Sequence, residues 1–122
     1  MNWIIDYIAD KNIVKVTTSG FITWDEQKKM VEEIVKFGEE KGAGLFLTDH
    51  RNLVQGLSIL QIDDLPQFHK QVGVKPSDKI AILYAPKDED QFKFFQSVSF
   101  LASLNFKIFT DEKEAMDWLL EE

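Results

Sequence analysis

The chain of 122 residues contains no cysteine. That excludes disulfides, zinc-thiolate centres and thiol nucleophiles together. Histidine is nearly as scarce: His50 and His69 stand 19 positions apart with no ligand-like spacing, so neither a metal site nor a cofactor is expected. Arginine occurs once, as Arg51, and the other 13 basic residues are lysines. Positive charge is short overall, with 21 acidic residues against 14 basic ones and a net charge of -7. A nucleic-acid surface needs a basic excess to displace counterions, so no nucleic-acid partner is expected, and no charge-driven docking on anionic lipid. No apolar run approaches the roughly 18 residues of a membrane span. The opening MNWIIDYIADKN has neither a basic leader nor a small-residue cleavage site. A soluble, cytoplasmic protein is the expectation. Also missing are a Gly-x-Ser-x-Gly elbow, a Walker loop and a Gly-x-Gly-x-x-Gly turn, so no catalytic or nucleotide-binding motif is present.

What is present reads as one α/β domain over residues 1–122, since the length suits a single domain and 44% apolar residues can fill its core. Trp3 to Ile8 and Ile13 to Thr18 are rich in branched and aromatic residues, and Asp10-Lys11-Asn12 between them reads as the turn of a hairpin. Val14, Val16 and Thr18 then share one face, with Lys15 and Thr17 on the other. Gly20 is expected to break this strand. Thr23-Trp24-Asp25-Glu26 is a capping box, in which hydroxyl and carboxylate satisfy free amides at a helix start. Met30, Val31, Ile34, Val35 and Gly38 follow at helical spacing, and KGAG at 41–44 ends the helix.

Leu45-Phe46-Leu47 reads as a short buried strand, followed by a loop from Asp49 to Ser58. Ser58 and Gln61 form a second capping box. Pro66 should interrupt that helix, either as a kink or as the first turn of a second segment. KIAILYA at 79–85 is another buried strand, Asp88 with Gln91 caps a third helix reaching about Leu104, and Phe106 to Phe109 is a last strand. Thr110-Asp111 starts a final helix. The order β-β-α-β-α-β-α-β-α implies a mixed sheet of about five strands, mostly parallel, with helices packed on its faces.

In this order the segments SGFIT, LFLTDHR, LSILQIDDLP, DKIAILYAP, DQFKFFQSVSF and FKIFTDEKEAMDWLL resemble the STAS-like superfamily, the fold of anti-sigma-factor antagonists. They are most similar to the small bacterial SpoIIAA-like proteins. The resemblance implies a non-enzymatic regulatory or binding module with a protein partner or small ligand. In the phospho-regulated antagonists the third strand leads to an Asp-Ser-Ser/Thr-Gly-Leu element whose serine is modified. The matching position is Ser58, within Gln55-Gly56-Leu57-Ser58-Ile59, and the preceding aspartate and following glycine are absent.

The candidate partner or anion site is therefore Asp49, His50, Arg51 and Ser58. Strand alternation points Asp49 and Arg51 together and His50 away, which favours an Asp-Arg ion pair over an Asp-His catalytic pair. Arg51 has a planar fork suited to carboxylate or phosphate. The competing reading is that Asp49 caps the backbone or pairs with Arg51 and nothing more. Ser58 is an N-cap, at a helix end that also suits an anion. A further candidate is the third helix. Phe92, Phe94, Phe95, Val98, Phe100, Leu101 and Leu104 exceed the one stripe of about 100° that a surface helix needs. The excess implies a wider core, a self-association patch for a homodimer, or the wall of an apolar pocket, with Phe92, Phe94, Phe95 and Phe100 as candidates. Trp24, Trp118 and Leu119 read as core or staple residues. Three functions follow: a regulatory or binding module, a carrier of a small lipophilic ligand, and an enzyme using Asp49 and His50.

Overall fold

The computed structural model describes residues 2–121. Its elements are β1 (Trp3–Ile8), β2 (Ile13–Ile22), α1 (Trp24–Lys41), β3 (Leu45–Gln55), α2 (Ile59–Val72), β4 (Lys79–Leu83), a 3₁₀ turn at Pro86–Asp88, α3 (Glu89–Leu101), β5 (Asn105–Phe109) and α4 (Glu112–Leu119). One mixed sheet holds the five strands in the order β1-β2-β3-β4-β5. Only β1 runs antiparallel, paired to β2 from Trp3 with Thr18 to Ile8 with Ile13. The hairpin turn needs a left-handed residue, and Asn12 (φ 54°) fills it, as asparagine does more readily than most.

Each crossover from β2 to β5 moves one place in the same direction along the sheet. Crossovers of one hand then set their helices on one face. Met30 of α1, Ile62 and Leu65 of α2, and Phe92 and Phe95 of α3 accordingly share one core with Val14, Val16, Phe46, Ile80 and Ile82 of the sheet. The other face is covered by α4, whose Ala115 and Leu119 pack on Ile13, Leu47, Ala81 and Leu83. Trp24 and Trp118 are partly buried against these two cores respectively. Among the described residues no helix is long and apolar enough to cross a membrane.

Four sequence expectations are corrected. Gly20 does not end β2, which continues to Ile22. Its φ of +77° is one that glycine adopts without strain, so the chain twists there and keeps pairing, Gly20 against Leu53. β3 does not stop at Leu47 but runs to Gln55, so the segment after Asp49 is strand and not loop. Its polar composition misled because β4 ends at Leu83, opposite Asp49, and beyond that point, among the described residues, β3 pairs with β2 alone. This two-stranded ribbon closes tightly: a Cβ on Gly56 would lie 2.5 Å from both the Ile22 carbonyl oxygen and the Phe21 ring.

Pro66 does not open a second segment but lies inside α2, which is continuous. Proline lacks the N–H that would bond the Ile62 carbonyl, but buried Leu65 and His69 anchor the helix on both sides of the gap. Finally, α3 begins at Glu89, after the 3₁₀ turn, and Asp88 makes no side-chain cap bond. The helix ends at Leu101, because Ser103 turns left-handed (φ 63°) and the Leu104 N–H bonds back to the Ser99 carbonyl at 3.0 Å. That turn drives Leu104 into the core.

Candidate functional site

The middle of β3 carries a β-bulge. Thr17 pairs with Asp49 and Ser19 with Asn52, so β3 fits one more residue into the interval than β2 does. Before the bulge, Phe46, Thr48 and His50 point to the three-helix face, while Leu47, Asp49 and Arg51 point to the α4 face. After it the alternation is reset, and Leu53 joins the three-helix core.

Asp49 and Arg51 therefore meet. The Asp49 carboxylate accepts three hydrogen bonds from Arg51: from its backbone N–H at 3.1 Å, Nε at 2.9 Å and Nη2 at 2.8 Å. Hydrogen bonding to the Arg51 side chain outweighs the cost of burial and holds the Asp49 carboxyl below its usual range; the same pairing raises Arg51. Arg51 Nη2 also lies 3.5 Å from Glu112, the first residue of α4, which Lys15 approaches at 3.8 Å. The fork that suits an external anion is filled from within the chain, and an anion would have to displace Asp49. His50 leaves by the opposite face, so Asp49 and His50 cannot converge on one substrate.

Ser58 is the N-cap of α2 in a complete capping box. Its hydroxyl accepts from the Gln61 N–H at 3.2 Å, and Gln61 Oε1 accepts from the Ser58 N–H at 2.9 Å. Ser58→Ala is expected to cost about 1 kcal/mol in urea denaturation. An unchanged stability would remove the capping role. Close by, the ribbon tip and the first turn of α2 expose Phe21, Val54, Ile59 and Leu60.

The larger feature lies on the other side of β3. α2 makes its main backbone approaches to α1 and α3 rather than to any strand, so only its side chains reach the sheet. Beneath it is a cavity of about 90 Å³. Its apolar walls include Met30, Ile62, Leu65, Phe92, Phe95 and Phe106. Phe92 and Phe95 thus stand where an apolar pocket was a candidate, whereas Phe94 and the fully outward Phe100 (77% exposed) do not line it. The aromatic rings interlock: Phe95 meets Phe106 edge-on at 5.0 Å, His69 stacks on Phe106 at 5.1 Å, and His50 stacks on Phe92 at 6.1 Å.

Polar side chains interrupt these walls. Gln27, Thr48, His50, Gln55, His69 and Gln91 all line the cavity. Three of them bring buried atoms with no hydrogen-bond partner among the described residues: His69 Nδ1, Gln91 Nε2 and Gln55 Oε1. Buried polar atoms are normally paired, because leaving one unpaired costs about 1–3 kcal/mol. Burial pushes His69 down to about 3 and His50 down to about 4, the latter against the opposing pull of the Asp49 charge. Both rings are neutral at physiological pH.

The Thr18 hydroxyl ties His50 to β2, lying 3.1 Å from the Asp49 carbonyl oxygen and 2.7 Å from His50 Nδ1. Sequence reading left out Gln27, Gln55, Gln91 and His69 as site residues. A signal was available for three of them: Gln27, His69 and Gln91 fall on the helix faces marked by Met30 and Val31, by Ile62 and Leu65, and by Phe92 and Phe95. Among the described residues no three of His, Asp and Glu gather closely enough to hold a metal ion.

No family model matches the chain, and no curated protein matches it. A solved structure does: an uncharacterised protein of the DUF3478 family with a SpoIIAA-like fold, from Shewanella loihica PV-4. The two superpose with a TM-score of 0.60 at 20% identity, over 96% of this chain and 91% of that one. The likeness covers nearly the whole chain, which has the SpoIIAA-like α/β fold.

Proposed function

We propose that the protein is a non-enzymatic binding module that takes a small ligand in the cavity beneath α2. The observation that carries this reading is the set of three unpartnered buried polar atoms among the cavity-lining residues. The surface candidates offer no comparable vacancy of bonding, since Arg51 is engaged by Asp49 and Ser58 by Gln61. The position also fits the architecture. His50, Gln55 and Gln91 lie toward the carboxyl ends of the parallel strands, where ligands of α/β sheets bind. The regulatory side of the reading runs through α2. Ile62 and Leu65 sense the cavity, and the same helix exposes Ile59 and Leu60 in its first turn. Occupancy that shifts α2 would alter the surface offered to a protein partner.

Amide correlation spectra recorded with a set of small neutral and charged fragments test the reading. Binding fragments are expected to move the amides of Ile62, Leu65, His69, Phe92 and Phe95 as a group. The filling substitution Ile62→Phe is expected to abolish those shifts while the spectrum stays that of a folded protein. Fragments that move only the Asp49–Ser58 surface, or none that move the cavity, would overturn it.

A further inference from the structure

Granted that the cavity is the binding site, we infer that its ligand is a compact, uncharged ring bearing both a hydrogen-bond donor and an acceptor, and not a lipid. Four features of the cavity carry this.

Size comes first. The volume of about 90 Å³ is smaller than the roughly 150 Å³ of a dry cavity that takes benzene. A five-membered ring fits this scale, and a long acyl chain does not. Charge is the second feature. Lys75 is the one lysine or arginine among the lining residues, and it stands with Glu39 and Asp78 at the foot of the parallel strands. Asp78 is itself bonded there, accepting the Lys75 N–H at 2.8 Å. At the opposite pole His50 is uncharged, so nothing fixed awaits a carboxylate or an ammonium group, and bringing a bare charge there would be costly.

Hydrogen-bonding character is the third feature. Toward the carboxyl ends of the strands the lining offers the Gln91 amide as donor and the Gln55 oxygen as acceptor, both unpartnered. A ligand that satisfies such a lining needs both a donor and an acceptor of its own. The walls are the fourth. Phe92, Phe95 and Phe106 present ring faces and edges, which suit a flat body better than a flexible one.

The test uses pyrazole as probe, a neutral five-membered ring with adjacent N–H and N. Cyclopentane supplies a similar ring size without polar atoms. Pyrrolidine and butyrate supply a cation and an anion of similar bulk, and laurate supplies a lipid. Affinities are read from amide shifts of α2, α3 and β3. Pyrazole is expected to bind at least about tenfold tighter than cyclopentane, since hydrogen bonds to otherwise unpaired groups are at stake. Pyrrolidine, butyrate and laurate are expected to leave the cavity amides unmoved. Gln91→Leu is expected to lower pyrazole affinity about tenfold and leave cyclopentane unaffected. His69→Phe keeps the aromatic wall and gives a second reading of the same kind should Gln91→Leu fail to fold. Equal binding of pyrazole and cyclopentane overturns the ligand class but leaves the cavity as the site. Preferential binding of butyrate or laurate in the cavity does the same, in favour of an acid or lipid carrier. If no probe moves the cavity amides, the ligand class and the binding function fall together.

Discussion

Lowering the pH from about 7 to about 5 is expected to cost the fold about 4 kcal/mol through two residues, His50 and His69. Folding pushes them from an ordinary 6.5 down to about 4 and about 3, in both cases mainly because burial removes the charged form from water. A native state with lowered pKa values binds fewer protons than the unfolded chain. The stability these groups contribute is therefore complete above about pH 6.5 and is lost as the pH falls toward the folded values. At pH 5 each unfolded imidazole is protonated and each folded one is not, which is worth about 2 kcal/mol per residue. Total stabilities of about 5–15 kcal/mol make that a large fraction. Asp49 acts in the same direction, but in the more acidic range where ordinary carboxylates titrate, outside this window. Urea denaturation at the two pH values measures the loss. His69→Phe should recover about half of it, and at neutral pH should be no less stable, since it removes a buried nitrogen that lacks a partner. A profile that is flat between pH 7 and 5 would show that the two rings are not buried as described.

Leu47→Ala is expected to destabilise the protein by about 4 kcal/mol, near the upper end for leucine truncation in a core. Leu47 is completely buried in β3, between Lys15 of β2 and Ala81 of β4. Above it sit Ala115 and Leu119 of α4. Two of these neighbours are alanines and have no side chain to swing into a void. α4 itself is held at both ends, by Arg51 to Glu112 and by Lys79 Nζ donating to the Trp118 carbonyl at 2.5 Å, so it cannot slide inward. Leu65→Ala is expected to cost only about 2 kcal/mol, because α2 rests on helices and can settle toward the sheet. Equilibrium denaturation of the two variants checks the ranking. A larger loss for Leu65→Ala than for Leu47→Ala would mean that α2 is the rigid layer and α4 the yielding one.

The parts of this fold that could be read from sequence are those set by neighbours in sequence. The two capping boxes, Thr23 with Glu26 and Ser58 with Gln61, involve residues three apart and appear in the structure as drawn. The hairpin faces of Val14, Val16 and Thr18 follow from plain alternation. What failed depends on partners far along the chain. The second half of β3 alternates out of phase with the first, because the bulge inserts a residue, and its polar side chains reflect the loss of β4 as a neighbour. Pro66 would break an isolated helix, and here tertiary packing overrides it. The site was legible in one respect. Alternation separated Asp49 and Arg51 from His50, which is how they lie. The inward-facing glutamines were not read, because an amide at an apolar spacing looks like a surface residue until the opposing wall is known.

The strand order has a kinetic consequence. Every strand pairs with its predecessor in the chain, from β1 with β2 to β4 with β5. No pairing has to wait for a distant segment, and the longest loop to be closed for any pair is a single helix with its turns. Loop-closure entropy is thereby kept small, and the contact order is low for a sheet that is mostly parallel. The sheet can be added to strand by strand as the chain leaves the ribosome, with the N-terminal hairpin as the first complete unit. α2 belongs to the β3–β4 step and is seated only when α3 arrives to hold its other side. The cavity is therefore among the last features to form, after the sheet that floors it is already in register.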